Sequence, residues 1–111
     1  MRLPIYLLFL FVVSNATAAT LQTPEDAVLG YNACIMRQID RFKISCDRPD
    51  FVALAIEESC NQEINIYKSA VVRSFGKYED LVTTLQQARR ETAIAAIVEW
   101  RLTHTCGGQE K

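Results

Sequence analysis

The chain has 111 residues, of which 12 are Lys or Arg, 13 are Asp or Glu, one is His and four are Cys. This length allows one small domain and excludes a two-domain enzyme, a dinucleotide-binding βαβ fold and an eight-unit βα barrel. The formal net charge of −1 argues against nucleic-acid binding, because proteins of that class carry a clear basic excess.

Residues 1–18 have the pattern of a secretory signal peptide. Arg2 supplies the positive start, an apolar run over residues 3–13 follows, and Ala18 completes a small-residue cleavage site. The apolar run is too short for a membrane anchor, since about 20 apolar residues are needed to cross a bilayer. We therefore expect cleavage after Ala18, export to the periplasm or the extracellular space without membrane association, and a single mature domain over residues 19–111.

The first of three helical patterns follows, and no segment has the alternation that is typical of a strand. Thr23 can cap the free N–H groups at the helix start, and Pro24 suits the first position because no donor is needed there. Apolar residues then recur every three or four positions up to Phe42, which predicts a helix over about 24–43. Arg48 precedes a proline and is therefore biased to extended geometry, which predicts a boundary.

The second pattern is the cleanest apolar stripe in the chain and predicts one helix over about 49–75. Its members are Val52, Ile56, Cys60, Ile64, Tyr67, Val71 and Phe75. Gly76 follows directly, as is common at helix ends. The third pattern opens with the acidic residues Glu79 and Asp80 and stops at Gly107, which predicts a helix over about 79–105. Together the patterns predict an all-α, up-down-up three-helix bundle.

The four cysteines are expected to form two disulfides. An exported chain meets an oxidising environment, and the sequence has no close cysteine pair of the kind that zinc sites use, so no metal is expected. Cys34 and Cys60 lie about 13 and 16 Å below one end of the predicted bundle, whereas Cys46 and Cys106 lie at that end. Because a bridge needs Cα atoms within about 7 Å, the topology predicts the pairs Cys34–Cys60 and Cys46–Cys106.

The sequence offers little for catalysis. His104 is the one histidine and stands near the end of the third helix, where the helix dipole favours a cation. With bridged cysteines it has no thiol nucleophile to activate. Glu57, Glu58 and Glu63 could supply two carboxylates for glycoside hydrolysis, but a solvated acidic face is the simpler interpretation. We therefore expect no enzymatic activity and no cofactor.

Trp100 and Arg101 are the candidate partner-binding residues. They interrupt the most apolar part of the third helix, whose stripe is expected to turn Val98 and Leu102 inward and to leave Trp100 on a flank. A flanking tryptophan either packs against the edge of the bundle or anchors a partner, and Trp and Arg are both enriched at protein interfaces.

These features favour a small exported, non-catalytic protein that binds another exported or cell-envelope protein as an inhibitor-like or protective factor. A carrier of a small apolar ligand is the alternative, because Tyr31 and Tyr67 fall on the apolar stripes and could line a pocket, although core packing is the commoner role. A small cell-wall hydrolase is the second alternative, and it requires two facing carboxylates, at least one with a perturbed pKa.

Overall fold

A computed structural model describes residues 22–77 and 79–111, and these residues form four helices. The helices are α1 (Pro24–Phe42), α2 (Pro49–Ser59), α3 (Asn61–Phe75) and α4 (Glu79–Arg101). The described residues contain no strand, and His104 and Glu110 form an isolated antiparallel bridge. The predicted all-α class is confirmed, with four helices where the sequence predicted three. The predicted signal peptide over residues 1–18 lies outside the described residues.

Helix α1 begins and ends within one residue of its predicted bounds. The Thr23 hydroxyl accepts a hydrogen bond from the backbone N–H of Asp26 at 3.1 Å, and Pro24 occupies the first turn. The inward face carries Tyr31 and Ile35, which are 0% and 2% exposed. Local capping and the apolar period therefore both point to the helix that forms.

The predicted helix over 49–75 is interrupted at Cys60, which separates α2 from α3. Cys60 has φ −109° and ψ 23°, and its backbone N–H donates to Glu57 O at 3.0 Å instead of continuing a regular helix. The apolar stripe explains the break, because three successive steps of four residues, from Val52 to Ile64, drift by about 40° each around a straight helix. A change of direction at Cys60 keeps both halves facing the core. The predicted end is confirmed, since Gly76 caps α3 with a φ of 83°.

Helix α4 ends at Arg101, four residues before its predicted end. The backbone N–H of Leu102 donates to Glu99 O at 3.1 Å, which tightens the last turn, and the chain then folds back. Thr105 N–H donates to Gln109 O at 2.7 Å, and Gly107 N–H donates to Ile44 O at 2.9 Å. The segment after α4 therefore packs onto the loop between α1 and α2 and does not extend the helix.

Both predicted disulfides are present. Cys34 and Cys60 join α1 to the α2–α3 junction with a Cα–Cα distance of 5.9 Å. Cys46 and Cys106 join the α1–α2 loop to the segment after α4 with a Cα–Cα distance of 4.8 Å. Cys106 lies five residues beyond the end of α4, and it is at the same end of the molecule as Cys46.

One apolar core holds the helices together. α1 packs mainly against α3, and α4 packs mainly against α2. The largest fully buried side chains come from all four helices: Tyr31, Ile35, Ile56, Ile64, Val71 and Ile97. Among the helices of the described ranges, none is long and apolar enough to cross a membrane.

Candidate functional site

The last turns of α1 and α4 enclose an open cleft with Trp100 in its wall. The cleft has a volume of about 550 Å³. α1 contributes Ile39, Asp40 and Lys43, while α4 and the residues directly after it contribute Ala96, Glu99, Trp100, Leu102 and Thr103. We call this feature the Trp100 cleft. It places the predicted interface tryptophan beside residues that lie about sixty positions earlier in the chain.

The indole ring of Trp100 is held on the imidazole ring of His104. The two ring centroids are 4.2 Å apart and the planes differ by 3°. His104 Nδ1 lies 3.1 Å from the carbonyl oxygen of Trp100 and 2.9 Å from the hydroxyl oxygen of Thr103, so both contacts hold the ring against the end of α4. His104 follows α4 and does not sit within its last turn, and its ring supports the cleft wall.

The charged groups of the Trp100 cleft are Asp40 and Lys43 at the end of α1 and Glu99 on α4. Lys43 Nζ lies 5.7 Å from the centroid of the Trp100 ring, a cation–π distance, and 2.9 Å from Asp40 Oδ1. Glu99 adds a second carboxylate, which forms no ion pair with any described residue. The cleft therefore combines an aromatic wall with one more acidic group than basic groups.

The predicted inward stripe of α4 was wrong for Val98 and Leu102. Val98 is 46% exposed and Leu102 is 71% exposed, whereas Ile97 is completely buried. The adjacent Ile97 takes the inward position, which turns Val98 by about 100° towards solvent. Leu102 follows the end of α4 and stands at the mouth of the Trp100 cleft, so this correction adds an apolar group to the candidate site.

Arg101, the second candidate interface residue, forms hydrogen bonds within the fold. Its guanidinium donates hydrogen bonds to the backbone carbonyls of Ser45 and Asp47, the latter at 2.6 Å. Its Nε is buried and has no hydrogen-bond partner among the described residues. Arg101 therefore ties α4 to the α1–α2 loop, while its neighbour Trp100 faces the cleft.

Tyr31 and Tyr67, the candidate pocket-lining residues, both belong to the packed core. They are 0% and 7% exposed, and neither lines the Trp100 cleft or the other surface clefts between residues 22 and 103. The Tyr31 hydroxyl has no hydrogen-bond partner among the described residues. Burial, with a smaller contribution from the charge of Glu57, raises the pKa of Tyr31 to about 12.

The acidic residues considered for hydrolysis have different surroundings, although Glu57 and Glu58 line one cleft near the α2–α3 junction. Glu57 accepts two hydrogen bonds from the guanidinium of Arg90, at 2.7 and 2.8 Å, and this contact raises the pKa of Arg90 above its usual value. Glu58 is exposed, and Glu63 lies one turn into α3 near the Cys34–Cys60 bridge. Two sulfurs bonded to each other offer no thiolate to a metal, so this grouping of Glu63 with cysteines is not a metal centre.

A second, larger cleft on the outer face of α3 was not anticipated. It has a volume of about 630 Å³ and is lined mainly by amide and hydroxyl groups, including Asn61, Gln62, Asn65 and Ser69. Water satisfies such exposed groups well, so their burial gains little free energy compared with an aromatic and a leucine. The Trp100 cleft is therefore the stronger candidate for binding, although it is the smaller of the two.

Comparison of the chain with protein-family models, with curated proteins and with solved structures found no match. Function must therefore be argued from the geometry of the Trp100 cleft.

Proposed function

We propose that this chain is an exported, non-catalytic protein that binds another protein of the cell envelope or the extracellular space through the Trp100 cleft. Its scaffold works as an up-down-up three-helix bundle in which α2 and α3 together form the middle arm. The observation that carries the proposal is the pairing of a fixed aromatic ring with a strongly exposed leucine. Trp100 is stacked on His104, and Leu102 beside it is 71% exposed.

Protein interfaces concentrate their binding energy in a few side chains, among which Trp, Tyr and Arg are enriched. Tryptophan is prominent among them because it buries a large area with few rotatable bonds. The stack on His104 orders the Trp100 ring before a partner arrives, which lowers the entropy lost on binding. Leu102 provides further apolar area at the mouth of the same cleft.

The charges of the Trp100 cleft define the chemistry of the partner. Lys43 is neutralised by Asp40, so Glu99 leaves the rim with a net negative charge. Complementary charge guides encounter and excludes wrong partners more than it adds affinity. The partner segment that fits therefore presents an apolar side chain to Trp100 and a basic side chain to Glu99.

Two features support export as the setting for this activity. All four cysteines are paired in disulfides, which form and persist in oxidising compartments. The pattern of residues 1–18 adds a signal peptide. An inhibitor-like or protective factor of the periplasm or the extracellular space is consistent with both.

The ion pair between Glu57 and Arg90 argues against the alternative of a cell-wall hydrolase. A general acid must present its proton to the substrate, but both oxygens of Glu57 accept hydrogen bonds from Arg90. The carrier alternative draws on Tyr31 and Tyr67, whose rings fill the core. Protein binding at Trp100 is therefore the function that the geometry supports best.

Site-specific photo-crosslinking in the native host tests this proposal. A benzophenone amino acid at position 102 should capture one defined protein, and Trp100→Ala should abolish that adduct. With the captured partner purified, we expect Trp100→Ala to raise the dissociation constant at least about thirtyfold, as for a central interface residue. Glu99→Gln should mainly slow association at low salt.

Position 81 provides the matched control, because Leu81 is 46% exposed at the other end of α4. Equal adducts from positions 81 and 102, or no adduct from position 102, would contradict the proposal. Native mass spectrometry distinguishes protein binding from the carrier alternative. A small apolar ligand that co-purifies with the chain and is lost in Trp100→Ala would assign the cleft to that ligand.

A further inference from the structure

The two disulfides differ sharply in their access to solvent. Cys34 and Cys60 are 2% and 0% exposed and lie within the core. Cys46 and Cys106 are both exposed and link two segments outside the helices. A thiolate must reach a sulfur atom to exchange with a disulfide, so access separates the reactivities of the two bridges.

The exposed bridge holds the segment after α4 against the α1–α2 loop. The two cysteines are 60 positions apart in the chain, so the bridge closes most of the fold into a loop. Two other contacts cross the same junction: Gly107 N–H donates to Ile44 O at 2.9 Å, and Arg101 donates to the loop carbonyls. Among the described residues, the segment after Arg101 has one backbone hydrogen bond to this loop, from Gly107, and Gly108 lies beside the Ile44 side chain. The disulfide is the one covalent link between the two segments.

The same segment completes the Trp100 cleft. Leu102 and Thr103 line the cleft, and His104 supports the Trp100 ring from behind. The opposite wall is the last turn of α1, directly before the loop that carries Cys46. The bridge therefore joins the two segments that directly follow the walls of the cleft, in addition to the packing of α1 against α4 and the hydrogen bonds of Arg101.

We propose that Cys46–Cys106 is a thiol–disulfide exchange site for an exported dithiol reductant, and that its reduction opens the Trp100 cleft. The buried Cys34–Cys60 bridge stays oxidised and keeps the helices together. This inference rests on the proposed function only for its consequence, the release of the partner. The exchange and the opening are properties of the chain alone.

The dithiol supplies the two electrons that reduce the Cys46–Cys106 disulfide. One thiolate of the reductant attacks Sγ of Cys46 or Cys106, the S–S bond breaks, and the other cysteine leaves as a thiolate that takes a proton. The second thiol of the reductant then displaces the first cysteine from the mixed disulfide. The chain gains two thiols, and the reductant becomes a disulfide.

Timed reduction of the purified mature chain with limiting dithiothreitol tests the inference. Samples are trapped with N-ethylmaleimide and the modified peptides are identified by mass. We expect Cys46 and Cys106 to be labelled at least about tenfold faster than Cys34 and Cys60, because a buried bridge reacts only after local opening. Trp100 is the one tryptophan, so its emission should shift to longer wavelength in step with the fast phase.

The Cys46→Ser/Cys106→Ser double variant is the matched control. It should show the shifted Trp100 emission without reductant and no further change when dithiothreitol is added at the same low concentration. Equal labelling rates for the two bridges, or faster labelling of Cys34 and Cys60, would overturn the exchange site. Fast labelling without any change in Trp100 emission would overturn the opening of the cleft. Neither result depends on a partner, so failure here is distinct from failure of the proposed function.

Discussion

The carboxylate of Glu57 on α2 receives two parallel hydrogen bonds from the guanidinium of Arg90 on α4, at 2.7 and 2.8 Å. The Glu57 side chain is 13% exposed and that of Arg90 is 44% exposed, so the pair lies at the edge of the core. Paired hydrogen bonds of this geometry are stronger than a single surface contact. The pair therefore joins α2 to α4 at the edge of the core, beside the apolar contacts between the same two helices.

We expect Arg90→Ala to lower the free energy of unfolding by about 1 kcal/mol, since the ion pair is partly screened by solvent. A double-mutant cycle with Glu57→Ala, measured by urea denaturation, isolates the interaction from the loss of side-chain packing. Glu58→Ala is the matched control, because its exposed neighbouring carboxylate should change stability by less than about 0.5 kcal/mol. A coupling energy of zero would show that the contact does not stabilise the packing of α2 against α4.

Arg101 should contribute to the stability of the fold and not to partner binding. Arg101→Ala removes two charged hydrogen bonds to the carbonyls of Ser45 and Asp47, and we expect a loss of about 2 kcal/mol in the free energy of unfolding. Affinity for the partner captured through position 102 should fall much less than in Trp100→Ala. Arg37→Ala, which changes an exposed arginine of α1, is the control for the loss of a positive charge.

How far the sequence predicts the helices depends on whether the signal is local. Thr23, Pro24 and Gly76 act on neighbouring backbone groups, and the ends that they predict are those observed. The end of α4 depends instead on the α1–α2 loop, which binds Arg101 and Gly107 from more than fifty positions away. Such contacts leave no periodic pattern in the sequence, so the apolar pattern predicts a helix that continues to residue 105.

The candidate site shows the same division. Trp100 stood out because its residue type interrupts an apolar stripe, but Arg101 beside it proved to be occupied by the loop. Lys43 and Asp40 could not be associated with Trp100 from the sequence, because their proximity arises when the last turns of α1 and α4 pack together. Residue type indicated one member of the site, and only the tertiary packing assembled the others.

Removal of the buried bridge should affect the whole fold. The Cys34→Ala/Cys60→Ala variant releases a loop of 26 positions, for which the chain-entropy model gives a loss of about 3.5 kcal/mol. Alanine leaves no unpaired thiol in the core, so the loss reports the cross-link and the lost sulfur packing. Thermal unfolding followed by circular dichroism measures it. A variant that keeps the wild-type midpoint would show that the bridge adds nothing to the stability of the packed core.

Tyr31 should make the fold sensitive to alkaline pH. Burial raises its pKa to about 12, against 10.0 for a free tyrosine. Below pH 10 the phenol is protonated in the folded and the unfolded chain, so it adds no pH dependence. Between pH 10 and 12 the unfolded chain loses the proton first, and stability falls, by about 3 kcal/mol once the pH exceeds 12.

Tyr31→Phe tests this effect without disturbing the core. The hydroxyl is buried and has no hydrogen-bond partner among the described residues, so its removal should raise the free energy of unfolding by about 1 kcal/mol near pH 7. Urea denaturation of both proteins at intervals from pH 8 to 12 gives the difference in stability, from which the titration of lysines and other tyrosines cancels. That difference should be constant up to pH 10 and then shift steadily further in favour of the phenylalanine variant. A flat difference across the whole range would mean that the Tyr31 phenol ionises as readily in the folded chain as in the unfolded one, and that water reaches it inside the bundle.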